Sequence, residues 1–256
     1  MEGLETLSDF VIANFSYVFP LMAVFTRMSI FVFLLPGLGE TAISTRTRLV
    51  VALMMTWLIT PLIGLGAGSE WTITTMVTSL SFEALHGFVL GFSLRLMVFG
   101  LQIAGSIVSQ SMSLSQVFGG GMTSEPNTTV STILIMTGVT LLVTLDLHIR
   151  AFGMVVTTFE TFPLGSAPDT GQLAYWMAEK CMSVFGFAVG LALPFLLLNF
   201  VYNLILGFVN KAMPQLMVSF VGMPFITGAG IVLLMLSASG LLLVWLKEFN
   251  ANMAGF

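Results

Sequence analysis

The stretch SFEALHGFVLGFSLRLMVFGLQIAGSIVSQ (Ser81–Gln110) decides what kind of molecule this is. It is apolar for longer than the ~20 residues that cross a bilayer. It also places Glu83, Gly87, Gly91 and Arg95 at successive intervals of four. That interval keeps the four residues on one slowly drifting helix face. Gly87 and Gly91 form a Gly-x-x-x-Gly pair, the small-residue pattern that lets a second helix approach closely. A charged residue at each end of such a face needs a partner, because an arginine at mid-membrane costs about 2.5–3.5 kcal/mol on insertion scales.

The rest of the chain has the same character. Of 256 residues, 57% are hydrophobic and only 8% charged, against about 25% charged in ordinary soluble domains. Eight Lys/Arg and twelve Asp/Glu cannot solvate a globule of this size, so the surface must face lipid or other protein. The reading is an all-α, membrane-associated chain, since helices and closed barrels are the structures that satisfy their backbone in lipid and no segment alternates like a barrel strand. Six apolar segments qualify as long helices: Phe10–Pro36, Leu49–Gly66, Leu85–Val108, Val130–Leu145, Met182–Val209 and Met217–Trp245. The last two contain Pro194 and Pro224, which kink a membrane helix or split it into a hairpin. The acidic start, MEGLETLSDF, lacks the basic region of a cleaved signal peptide and is read as retained.

Loop charge gives no orientation. Six spans would place Arg150, Lys180 and Lys247 on one side and Arg46, Arg48 and Lys211 on the other, an even split that the positive-inside rule cannot use. Either six is the wrong count or the helices do not all cross lipid.

Several function classes are excluded. The single cysteine, Cys181, permits neither an intrachain disulfide nor a cysteine metal cluster, and two histidines cannot build a histidine-rich metal site. No Gly-x-Ser-x-Gly, Walker A or His-Glu-x-x-His pattern is present, so no enzyme, cofactor or metal is expected. The small net charge of −4 and the lack of a basic run argue against nucleic acid. No inverted repeat marks a secondary transporter.

Polar residues inside apolar segments are the candidates for function. Arg27 and Arg95 need partners, with Glu83, Asp146 and Glu160 available, and a functional and a packing role both stand. A second glycine pair, Gly186 and Gly190, lies in the fifth segment. Beyond it Asn199, Asn203, Gly207 and Asn210 make a small, polar stripe, read as interhelical hydrogen bonding in preference to a channel wall. The third segment runs into SQSMSLSQVFGGGMTSEPN (Ser109–Asn127). Arg95, Gln102, Ser106, Ser109, Ser113 and Gln116 fit a helical stripe, yet the serines from Ser109 to Ser115 alternate as in an extended chain. Helix to about Ser109 and irregular backbone beyond is the expectation. A flexible surface loop and a pore-closing element both fit the Gly119, Gly120 and Gly121 run.

Four ordered motifs then carry a resemblance. They are FTRMSIFVFLLPGLGETAISTRTRL (Phe25–Leu49), SFEALHGFVLGF (Ser81–Phe92), LDLH (Leu145–His148) followed by FETFPLG (Phe159–Gly165), and LPFLLLNFVYNLILGFVNKAMPQLMVSFVGMPF (Leu193–Phe225). The last presents Pro194, Asn203, Gly207, Lys211, Pro214, Gln215, Gly222 and Pro224 in order, with Lys211 where many relatives carry arginine. Over essentially its whole length, 1–256, the chain resembles the FliR/YscT/SpaR family of type III export gate proteins as one domain. The resemblance implies a non-enzymatic subunit that assembles with FliP and FliQ into a helical, protein-conducting gate. FlhB and FlhA would associate with it in the bacterial inner membrane, at the flagellar basal body. Unfolded flagellar proteins would be the cargo and lipid the surround. It further implies tilted or kinked helices that partly leave the bilayer. The segment at about 106–123 would be a pore plug, with Ser106, Ser109 and Gln116 as its hydrated approach and Met112, Val117, Phe118 and Met122 as an apolar stopper. Arg27, Glu83, Gly87, Gly91, Arg95, Asp146, Asn199, Asn203, Lys211, Pro214 and Gln215 would serve as buried polar or assembly residues. A virulence-type secretion gate and a self-contained small-solute transporter are the alternatives.

Overall fold

A computed structural model describes residues 2–40, 42–63, 73–112, 129–212 and 218–255, with side chains from Val18 onward except at 73, 218–221 and 223. The described residues form seven helices and no strand. These are α1 (Glu2–Leu34), α2 (Thr45–Ile63), α3 (Ile73–Ser111), α4 (Thr129–Thr144), α5 (Leu147–Thr161), α6 (Thr170–Ala212) and α7 (Val218–Ala254). The all-α reading holds. All six apolar segments are helical where described, apart from Leu35, Pro36 and Leu145 at segment ends, and α6 and α7 run through Pro194 and Pro224 without being split into hairpins.

Helix length departs from simple spans. α6 has 43 residues and α3 has 39, whereas a perpendicular crossing needs about 20. At 1.5 Å per residue α6 is roughly 65 Å long, about twice a hydrocarbon core. By length and composition α2, α3, α6 and α7 can cross a membrane, and α4 with α5 makes a fifth, broken candidate bent by 70°. Asp146 makes the break, with φ 55° and ψ 24°. Its left-handed conformation is one that aspartate tolerates better than most residues.

α5 was not among the six segments, because it is only half apolar. Leu147, Ala151, Met154, Val155, Thr158 and Phe159 are buried, the spacing of one helix face. Arg150, Gly153, Thr157 and Glu160 lie on the exposed side.

The described residues fall into two compact units. The first comprises residues 1–95, 142–178 and 252–256. In it α1 buries Val24, Met28 and Phe31, one stripe along the helix that Leu35 continues just past its end. Phe31 meets Phe152 of α5 edge to face at 5.9 Å. Gly37, at φ 94°, turns the chain after α1, and the Gly39 N–H donates to the Leu35 carbonyl at 2.7 Å. The second unit comprises residues 96–141 and 179–251. Its core holds Val108, Met112, Val130, Leu134, Ala192 and Phe195. Buried Trp245 donates its indole N–H to the Met97 carbonyl at 2.8 Å, and Gly105 lets the Ser131 backbone come against α3.

Much apolar surface stays uncovered. Trp57 is 80% exposed, Met182 76%, and Leu236 78%, so α2, α6 and α7 present faces suited to lipid or protein rather than water.

Candidate functional site

The first unit is organised around one buried charge pair. Arg27 of α1 donates from Nε to Oε2 of Glu83 on α3 at 2.6 Å, and both side chains are fully buried. Burying two charges is costly unless they are paired and their remaining atoms bonded. Here the α5–α6 connection supplies main-chain partners. Arg27 Nη2 donates to the Phe162 carbonyl at 3.1 Å, and Glu83 Oε1 accepts from the Gly165 N–H at 2.9 Å. The guanidinium also lies 3.8 Å from the ring centre of Phe159, a favourable cation–π distance. One ion pair therefore ties α1, α3 and the connection from Phe162 to Asp169.

Gly87 and Gly91 make that meeting possible. A Cβ at Gly87 would collide with the Arg27 carbonyl and come within 3.0 Å of its Cα. At Gly91 a Cβ would lie 2.7 Å from Leu34 Cβ. The Glu83–Gly87–Gly91 face thus receives α1 within this same chain. Gly165, at φ 75°, has a matching constraint, since a Cβ there would lie 2.9 Å from Ser79 Oγ.

Arg95 is served from outside the apolar segments. Its Nη1 donates to Glu40 Oε1 at 2.7 Å, with side chains 22% and 28% exposed. Arg48 holds the same turn from the other side, donating to the Glu40 carbonyl and, at 2.9 Å, to that of Ile43. The sequence offers the arginines Glu83, Asp146 and Glu160 as carboxylates. Glu83 serves Arg27, but Glu40 was missed because it sits in the PGLGE turn. Asp146 and Glu160 are exposed.

The other expected positions are scattered. Asn203 of α6 is exposed and donates to the carbonyl and side chain of Asn199 in its own helix, both at 2.8 Å. Lys211 is exposed. Gly186, Gly190 and Gly207 have nothing within 4 Å of an added Cβ. Where the serine-rich segment begins, the helical pattern wins as far as Ser111. Ser106 is half-buried and Ser109 buried. Met112, expected in the stopper, is instead fixed in the second unit's core, where Thr227 Oγ1 donates to its carbonyl at 2.9 Å. Gln116, Val117, Phe118, Gly119, Gly120, Gly121, Met122, Pro214 and Gln215 lie outside the described residues. Among the described residues, no three His, Cys, Asp or Glu side chains are arranged to hold a metal ion.

The buried pair and its glycines lie inside the stretch that a known family matches. The family described as "Bacterial export proteins, family 1" matches residues 18–252. The Flagellar biosynthetic protein FliR of Caulobacter vibrioides is 32% identical over 229 residues, covering 89% of this chain and 91% of that protein. Its namesake in Escherichia coli is 27% identical, over 85% of this chain and 82% of that protein. For Bacillus subtilis FliR the identity is 24%, with 90% of each chain covered. A match of this extent, running from α1 to the end of α7, shows that the chain belongs to family 1 of the bacterial export proteins, the FliR family.

Proposed function

We propose that this chain is a non-enzymatic subunit of the flagellar type III export gate, forming its protein-conducting channel with FliP and FliQ. FlhB and FlhA would join that gate in the bacterial inner membrane at the flagellar basal body, and unfolded flagellar proteins would be its cargo. One observation supports the reading most strongly. α6 and α7 are each far longer than a bilayer requires, yet they leave Phe185, Phe200, Phe208, Met235 and Leu236 exposed along their length. On α6 the exposed apolar residues run from Met182 to Phe208, roughly 39 Å at 1.5 Å per residue against about 30 Å for a bilayer core, and neighbouring helical subunits would cover the excess.

Within this gate the segment at 106–123 acts as the plug. Its described entry, through Ser109 and Met112, is packed and hydrogen-bonded in the second unit. Gly119–Gly121 form the hinge, with Val117, Phe118 and Met122 as the water-excluding stopper. The solute-carrier alternative rests on Arg27, Arg95 and the proline-broken segments, but both arginines meet carboxylates, and α6 and α7 run through Pro194 and Pro224 as single helices.

Co-expression with FliP and FliQ of the same organism tests the assembly. The expected result is one complex of the three that survives size-exclusion chromatography in detergent; recovery of this chain alone would overturn it. Deleting Gly119–Gly121 is expected to leave assembly intact and make the membrane leak ions. Unchanged permeability would assign the segment a passive role.

A further inference from the structure

Arg27 of the ion pair borders a cavity of about 380 Å³ in the first unit, large enough for a small organic group. Two of its walls carry buried polar atoms with unused bonding capacity. Among the described residues Arg27 Nη1 and both ring nitrogens of His86 meet no hydrogen-bond partner. Arg27 is fully buried and His86 is 5% exposed. The Phe82 carbonyl lies near His86, one turn earlier in α3, but outside hydrogen-bond geometry. Buried donors of this kind are costly to leave unmatched. Asp169 stands at the exposed rim. Its Oδ1 accepts from the N–H groups of Gly171 and Gln172 at 3.0 and 3.1 Å, capping α6, which leaves Oδ2 for another donor. Leu90, Leu173 and Trp176 supply apolar wall.

The charges limit what fits. Arg27 and Glu83 cancel, so the fixed charge at the cavity is that of Asp169. A simple anion would gain hydrogen bonds from Arg27 and His86 yet meet a carboxylate at the rim. A group bearing a phosphate and an ammonium a few bonds apart satisfies both ends. The location agrees: the cavity lies beside the connection Phe162–Asp169 and the first turns of α6, where Trp176 has the amphipathic ring typical of the membrane interface. We propose that this cavity is a binding site for a zwitterionic phospholipid headgroup of the phosphoethanolamine type. Its phosphate accepts from Arg27 Nη1 and a His86 N–H, its ammonium meets Asp169, and its acyl chain follows Leu90 and Leu173.

The test uses the full-length purified protein in detergent, stripped of lipid and offered equal amounts of phosphatidylethanolamine and phosphatidylglycerol, with retention read by native mass spectrometry. One retained phosphatidylethanolamine is expected, favoured about tenfold, the size of one charge-assisted hydrogen bond. Asp169→Asn keeps a good helix cap, so this variant should fold, retain lipid and lose the preference. His86→Leu should lower retention of both lipids. Equal retention of the two lipids by the unaltered protein, or a preference that survives Asp169→Asn, would overturn the proposal. Chainless glycerophosphoethanolamine retained as firmly as the lipid would overturn the lipid assignment. This outcome is independent of whether the chain assembles with FliP and FliQ.

Discussion

Two glycine pairs of identical spacing meet opposite surroundings. Gly87 and Gly91 lie against the backbone of Arg27 and the side chain of Leu34, where any Cβ collides. Gly186 and Gly190 have nothing within 4 Å. A Gly-x-x-x-Gly pattern thus states that a helix can be approached closely, not that its own chain does so. What distinguishes the pairs is their flanks. The first is bracketed by Glu83, whose burial is tolerable only with α1 delivering Arg27 to it. The second has no charged residue to summon a partner from within the chain. Electrostatic need, more than smallness, selects the internal contact.

The contrast can be broken at several points, all readable as thermal midpoints of the purified protein in detergent. The largest effect is expected from Arg27→Met, which leaves Glu83 buried and uncompensated at a cost of about 3–5 kcal/mol. The double variant Arg27→Met/Glu83→Met should recover much of that loss; a double variant as unstable as the single one would mean that shape, not charge, holds α1 on α3. Gly87→Ala comes next, destabilising by about 1–3 kcal/mol because the Arg27 backbone cannot yield as a flexible side chain would. The same substitution at Gly186 should change sign. With open space around it, alanine there stabilises the isolated chain by about 0.5–1 kcal/mol through helix propensity, and a loss instead would reveal an internal contact. Glu40→Gln, at the partly exposed pair with Arg95, is expected to cost the least, at most about 1 kcal/mol.

The sequence exposed the fold unevenly, for physical reasons. Apolar runs marked six of the seven helices because hydrocarbon burial demands continuous apolarity. α5 escaped since one side of it is exposed and polar, although Leu147, Ala151, Val155 and Phe159 already displayed the spacing of a buried face. Glu83 stood out as a carboxylate inside an apolar helix. Glu40 did not, because a glutamate in a glycine-rich turn looks like solvated punctuation. The cavity beside His86 was illegible: three of its elements converge from positions far apart in the chain, and periodicity along any one of them carries no trace of the others.

The connection between α5 and α6 holds the buried ion pair with a carbonyl and an amide, at Phe162 and Gly165. Apart from Gly165, whose φ of 75° favours glycine, such main-chain groups leave little trace in the choice of side chains. What this segment must preserve is its count of residues: shifting the register by one between Thr161 and Thr170 would carry both groups past their targets. Outside Gly165, insertions and deletions more than substitutions are the changes to which this part of an export protein is most sensitive.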